Sequence, residues 1–182
     1  MPKYRPFPEA RDLPATLAVA ASAAGAAFLR LPGELWPFAA GLSLLLCLSS
    51  AVDIRRFILP DVLTAAIALL GAIMIGVTAP SAWAHHLLGA VLGFGVLYLL
   101  ALTWRRAFKK EGLGLGDAKL LGAIGLWTGW QGLPYVTLIA SVSGLVVVLA
   151  VRASGRPVGR APFGPFLSVG GWIVWVFAQP LF

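Results

Sequence analysis

Seven stretches of the chain are almost purely apolar and stop at charged residues, prolines or glycines: 13–29, 35–52, 62–79, 84–104, 118–130, 135–151 and 165–181. Most approach the about 20 residues that a helix needs to cross the hydrocarbon of a bilayer. The pattern predicts an all-α membrane protein, a polytopic bundle of about seven transmembrane helices. The fifth run is short and glycine-rich, so a count of six stays open there. Gly89 with Gly93, and Gly125 with Gly129, have the small-xxx-small spacing that lets helix backbones approach where apolar burial cannot drive association. No internal repeat or inverted duplication of the transporter kind is visible.

Composition agrees with this reading. Of 182 residues, 59% are apolar and 12% charged, with a mean hydropathy of +0.89, against roughly a quarter charged in a soluble domain. The spans and their connections use up the length, which excludes a sizeable aqueous domain. A single domain over 1–182 is expected, with 1–34 an extra N-terminal span outside the part that bears the motifs below. A basic start followed by the small residues Ala20 to Ala27 also fits a cleavable signal peptide. A retained anchor agrees better with an otherwise all-helical membrane chain.

Charge then orients the bundle. The 14 Lys and Arg against 7 Asp and Glu give a net +7. With the N-terminus inside, the cytoplasmic segments hold Lys3, Arg5, Arg11, Arg55, Arg56, Arg105, Arg106, Lys109, Lys110, Arg152, Arg156 and Arg160. Arg30 alone falls outside and Lys119 lies just within the fifth span, so the positive-inside rule predicts a cytoplasmic N-terminus and an outer C-terminus. Scattered over four short loops without stacking aromatics, these residues mark a lipid bilayer rather than nucleic acid as the partner. Cys47 is the single cysteine, which excludes an intrachain disulfide, a CxxC pair and a structural zinc cluster. No metal and no cofactor are expected.

Acids near membrane depth are costly and are candidates for function by default. Asp61 follows Pro60 before an apolar run and fits a helix N-cap, and Asp117 after Gly116 fits either a cap or a functional acid. Asp53 ends the second run, where an anion meets the wrong end of the helix dipole; it can pair with Arg55 or Arg56 or serve chemistry. The charge distribution places Asp53 and Asp117 on one membrane face although 64 positions separate them. Two carboxylates there can share a proton, one activating water and the other polarising a carbonyl, without metal or covalent nucleophile.

Other signals carry less. The glycines of 112–116 lack the upstream strand and the GK[ST] of a phosphate loop. His85 and His86, adjacent on a helix, point about 100° apart and make a poor chelate. Val142-Ser143-Gly144 faintly resembles a rhomboid-type serine site with a histidine base, but no second motif element accompanies it. A non-catalytic membrane scaffold or small transporter, with the aspartates as caps and ion-pair partners, is the alternative function.

Gly114-Leu115-Gly116-Asp117-Ala118-Lys119-Leu120 resembles the GxGD-x-K-[LF] signature of the type IV prepilin peptidases, which are membrane aspartic proteases. Asp53 with Leu59-Pro60-Asp61-Val62-Leu63-Thr64 is similar to that family's first-aspartate segment, and Pro162-Phe163-Gly164-Pro165-Phe166-Leu167 to its late PFGPFL segment. The resemblance implies an aspartic endopeptidase of the bacterial inner membrane, with Asp53 and Asp117 as the catalytic pair. It implies motif-supporting positions at Pro60, Asp61, Gly114, Gly116, Lys119, Phe163, Gly164 and Pro165. Its substrates would be prepilin or pseudopilin precursors, cut after a glycine in a short basic leader. With one cysteine and this length, the chain resembles a compact peptidase-only member without the N-methylating region. From helix ends alone, Asp117, opening a helix beside Lys119, is expected to be the base, and Asp53, closing one, its protonated partner.

Overall fold

A computed structural model describes residues 13–108, 114–154 and 161–177. The described chain is helical, in the order α1 (Leu13–Phe28), α2 (Trp36–Arg56), α3 (Asp61–Thr78), α4 (Trp83–Phe108), α5 (Leu115–Ala153) and α6 (Gly164–Phe177). Short 3-10 turns at Gly33–Leu35 and Pro80–Ala82 lead into α2 and α4, and no strand occurs among the described residues. Four helical stretches, Gly33–Arg56, Asp61–Thr78, Pro80–Ala107 and Leu115–Ala153, are long and apolar enough to cross a membrane, and Thr16–Phe28 and Gly164–Phe177 are shorter apolar helices. The basic residues Lys3, Arg5, Arg11, Lys109, Lys110, Arg156 and Arg160 lie outside the described residues.

The fifth and sixth apolar runs meet in α5 without a loop between them. Its 39 residues would reach about 58 Å if straight, but Gly129 takes φ 66° and ψ 177°, an arrangement outside the helical region, and Pro134 follows. Contacts with α6 show what the break does. In the first half, a Cβ on Gly171 would lie 2.7 Å from Ile124, and Trp175 meets Trp127 edge-to-face at 5.0 Å. In the second half, the order reverses: Gly132 lies against Val174, Gly170 against Val136, and Gly144 against Phe166. α6 is thus parallel to one half and antiparallel to the other, so α5 folds back on itself at Gly129.

The first half of α5 is the centre of the bundle. Trp127, 2% exposed, donates its indole N–H to the Ile67 carbonyl at 3.0 Å and packs on Gly71, fixing α3 to α5. On the other side, Gly89 and Gly93 of α4 press against Gly125 and Leu121, so the spacing read from the sequence is a helix-packing device. Large apolar residues such as Val62, Leu69, Leu88, Val91 and Leu99 remain exposed on the outer surface, as a lipid-facing bundle requires.

Candidate active site

α2 ends at Arg56 and the chain reverses in four residues. Phe57 adopts the left-handed conformation, φ 54°, and its N–H donates to the Asp53 carbonyl at 2.8 Å. Pro60 then stands at the N-cap of α3, its carbonyl accepting the Thr64 hydroxyl at 3.1 Å. This tight turn leaves Asp53 one turn inside α2, 5% exposed, and inserts Leu59, 8% exposed, into the bundle.

Leu59 is where the other two segments arrive. A Cβ on Gly116 would lie 3.0 Å from the Leu59 Cβ, and one on Gly164 would lie 3.2 Å from Leu59 Cδ2. The starts of α5 and α6 therefore converge on the same turn, and the half-buried Asp117, in the first turn of α5, comes to the neighbourhood of Asp53. The end of α2 and the starts of α5 and α6 thus form a single cluster in space.

Each aspartate is approached by glycine backbone. The Gly164 N–H donates to Asp53 Oδ2 at 3.0 Å, across 111 positions of sequence. A Cβ at Gly164 would stand 2.7 Å from that oxygen, so any side chain there would displace the carboxylate. At the other acid, a Cβ on Gly114 would stand 3.3 Å from Asp117 Oδ2. The Phe163 carbonyl accepts the N–H groups of Phe166 and Leu167 at 3.1 Å each, closing the first turn of α6. Pro165 has no N–H to contribute to that turn.

Two expectations need correction. Asp61 is not an N-cap: Pro60 holds that position without a side-chain bond, and Asp61 Oδ1 instead pairs with Lys119 Nζ at 2.6 Å, tying the first turn of α3 to that of α5. Nor does Asp117 cap α5, since Gly114 is its N-cap. The helix-end argument for telling the acids apart also loses its basis. Asp53 closes α2, but its carboxylate meets the amide that opens α6, so each acid lies at the start of a helix. Sequence reasoning weighed only Asp53's own helix.

The remaining signals lie elsewhere. The His86 ring N–H donates from Nδ1 to the Leu126 carbonyl at 2.7 Å, and His85 packs on Gly129. Both line a cavity of about 320 Å³ with Trp127, Thr128 and Trp175. Ser143 donates to the Ile139 carbonyl at 2.7 Å and follows Gly129 by fourteen residues, about 21 Å along a helix, so it forms no dyad with His85. Leu59 was read only as a letter of its motif, with no role of its own, and Phe57 was missed. No local signal marks a left-handed phenylalanine, though a leucine beside the Pro60 turn is a natural anchor.

A sequence model of the Type IV leader peptidase family matches residues 38–149. The chain is 40% identical over 149 residues to the prepilin leader peptidase/N-methyltransferase of Pectobacterium carotovorum subsp. carotovorum, covering 80% of this chain and 53% of that protein. It is 38% identical over 168 residues to the protein of the same name from Burkholderia pseudomallei (strain K96243), covering 91% and 54%. A third, from Dickeya chrysanthemi, is 40% identical over 156 residues, covering 81% and 54%. The chain thus spans about half the length of the curated relatives it matches. No solved structure matches it.

Proposed function

Since the chain belongs to the Type IV leader peptidase family, we propose that it is a membrane aspartic endopeptidase that removes short basic leaders from prepilin-like precursors at the cytoplasmic face. The observation that carries the proposal is the convergence of Asp53 and Asp117 on the Leu59 turn, each with glycine backbone beside it. In this reading one carboxylate takes a proton from water while the other, protonated, polarises the scissile carbonyl; on collapse the proton passes to the leaving amine.

The bundle is inserted in the bacterial inner membrane as seven crossings with a cytoplasmic N-terminus, the two halves of α5 each counting as one. The reversal of α5 at Gly129 supports this count. So does the position of Arg55, Arg56, Arg105, Arg106 and Arg152 in the last turns of α2, α4 and α5. Residues 1–182 act as one domain in which 1–34 lie outside the motif-bearing core.

The test is co-expression with prepilin-like proteins from the same genome, reading leader loss by gel shift, with EDTA present and no S-adenosylmethionine added. Asp53→Asn and Asp117→Asn should each lower cleavage by about 10³-fold or more while the protein stays inserted. Near wild-type cleavage by either variant would return the aspartates to the scaffold reading.

A further inference from the structure

The turn between α2 and α3 carries three apolar residues in a row, and they divide. Phe57 and Ile58 are exposed, whereas Leu59 is buried in the hydrophobic core. The backbone is constrained on both sides of that leucine: Phe57 is left-handed at φ 54°, and Pro60 holds φ −66° at the N-cap of α3. A left-handed residue other than glycine is costly and persists where the surrounding structure requires it. Here the requirement is that Leu59 enter the bundle.

The branched end of Leu59 meets two glycines. A Cβ on Gly116 would lie 3.0 Å from Leu59 Cβ, 3.5 Å from Cδ1 and 3.7 Å from Cγ, so the three atoms nearest to it all belong to this leucine. The space at Gly164 is shared: a Cβ there would lie 2.7 Å from Asp53 Oδ2 and 3.2 Å from Leu59 Cδ2. One methyl group thus borders the start of α5 and the other the start of α6. Gly116 immediately precedes Asp117, and the Gly164 N–H donates to Asp53 Oδ2 at 3.0 Å. A single side chain therefore lies against the backbone next to one acid and the backbone bonded to the other.

The fork matters as well as the volume. Leucine branches at Cγ and sends two methyl groups in different directions at equal reach. Methionine is of similar size but unbranched, with one flexible end. In a close-packed interior such a difference in shape is felt by every neighbour.

Resting on the catalytic reading of Asp53 and Asp117, we propose that Leu59 is a positioning residue whose two methyl groups set the starts of α5 and α6 against one turn and so hold the two carboxyl groups in register. It acts on Asp117 through Gly116 and on Asp53 through the Gly164 amide. A leucine that served only to fill the core would be replaceable by any apolar side chain of its volume.

The test uses the full chain in detergent or nanodiscs. Isotope-edited infrared spectra isolate the Asp53 and Asp117 carboxyl bands by subtraction of Asp53→Asn and Asp117→Asn. Leu59→Ala should shift both bands and lower kcat for prepilin cleavage about tenfold or more, with KM changed less than about twofold, together with a fall in melting temperature from the cavity it leaves. Leu59→Met should keep the melting temperature near wild type, as volume-conserving swaps do, and still shift both bands and lower kcat. Ile75→Ala is the control: Ile75 is fully buried but lies fourteen residues along α3 from Asp61, about 21 Å. It should lower the melting temperature and leave both bands and kcat in place. The inference is overturned if Leu59→Met matches wild type in bands and kcat, if only one of the two bands responds to the Leu59 variants, or if Ile75→Ala shifts the bands as much as they do. Should wild type cleave no prepilin, the proposed function fails while the infrared arm still decides whether Leu59 positions both acids.

Discussion

The seam between α4 and the first half of α5 and the seam between α2 and α6 are both antiparallel and both need glycine, but for opposite reasons. In the first, Gly89 and Gly125 would each drive a Cβ into the backbone of the other, and one on Gly93 would stand 2.6 Å from the Leu121 carbonyl. Backbone lies on backbone, the contact that replaces apolar burial as the driving force in lipid. In the second seam, the space left by Gly164 is filled by a carboxylate, and the helices are joined through polar atoms, Asp53 at one end and Ser43 with Trp172 at the other. One seam holds the bundle together; the other holds an acid in place. A glycine in a membrane helix is thus read by what occupies the space of its absent side chain.

The comparison predicts separable losses. The largest expected effect is from Gly164→Ala: a Cβ 2.7 Å from Asp53 Oδ2 moves the carboxylate, and a displacement of about 1 Å in a reacting group costs about 100-fold in rate. Single-turnover cleavage should show it, with thermal unfolding in detergent shifted only slightly. Gly125→Ala should do the reverse, destabilising the bundle by about 1–3 kcal/mol through overpacking while rate per folded molecule is kept. If both variants lose stability and rate in the same proportion, the two seams are not distinct in kind.

A smaller effect is expected inside the polar seam. Trp172→Phe removes the donor to Ser43 Oγ and should cost about 0.5–1 kcal/mol, as interhelical hydrogen bonds in membranes do. Adding Ser43→Ala should then cost almost nothing more, because the bond is already gone. Additive losses in chemical unfolding would mean that the two side chains contribute through packing instead.

What could be read in advance follows from the range of each interaction. The ends of α1 and α3 were legible to within a residue, whereas α2 and α4 run four residues past the predicted 52 and 104, to Arg56 and Phe108, because charge ends an apolar run without ending the helix: the last turn carries its arginines at the interface. The break in α5 was legible only roughly: the gap between the predicted fifth and sixth spans falls at 131–134, near Pro134, whereas the reversal uses Gly129, where His85 from α4 packs. Asp61 looked like a cap because its local context is that of a cap, but its partner, Lys119, is 58 positions away. The Gly164 amide on Asp53 was hidden for the same reason. Motif order named these segments, but only the packed helices show that the turn opening α6 delivers a backbone donor to Asp53.

The Asp61–Lys119 pair is the smallest expected contributor, and the reason is its exposure. The side chains are 73% and 43% accessible, so the 2.6 Å contact between them gains little over the hydration each group gives up. Asp61→Asn and Lys119→Met should each destabilise by less than about 1 kcal/mol. Their coupling in a double-mutant cycle should be of the same size and should shrink as salt is raised, because exposed charges are screened. The pair nevertheless ties α3 to α5 beside the turn that holds Leu59. A coupling above about 2 kcal/mol that is insensitive to salt would make it a structural clasp of the site and move it from the bottom of this order towards the top. The sign of the reversed pair, Asp61→Lys with Lys119→Asp, separates the cases: an electrostatic contact recovers stability when both charges are exchanged, whereas a contact fitted to these two side chains does not.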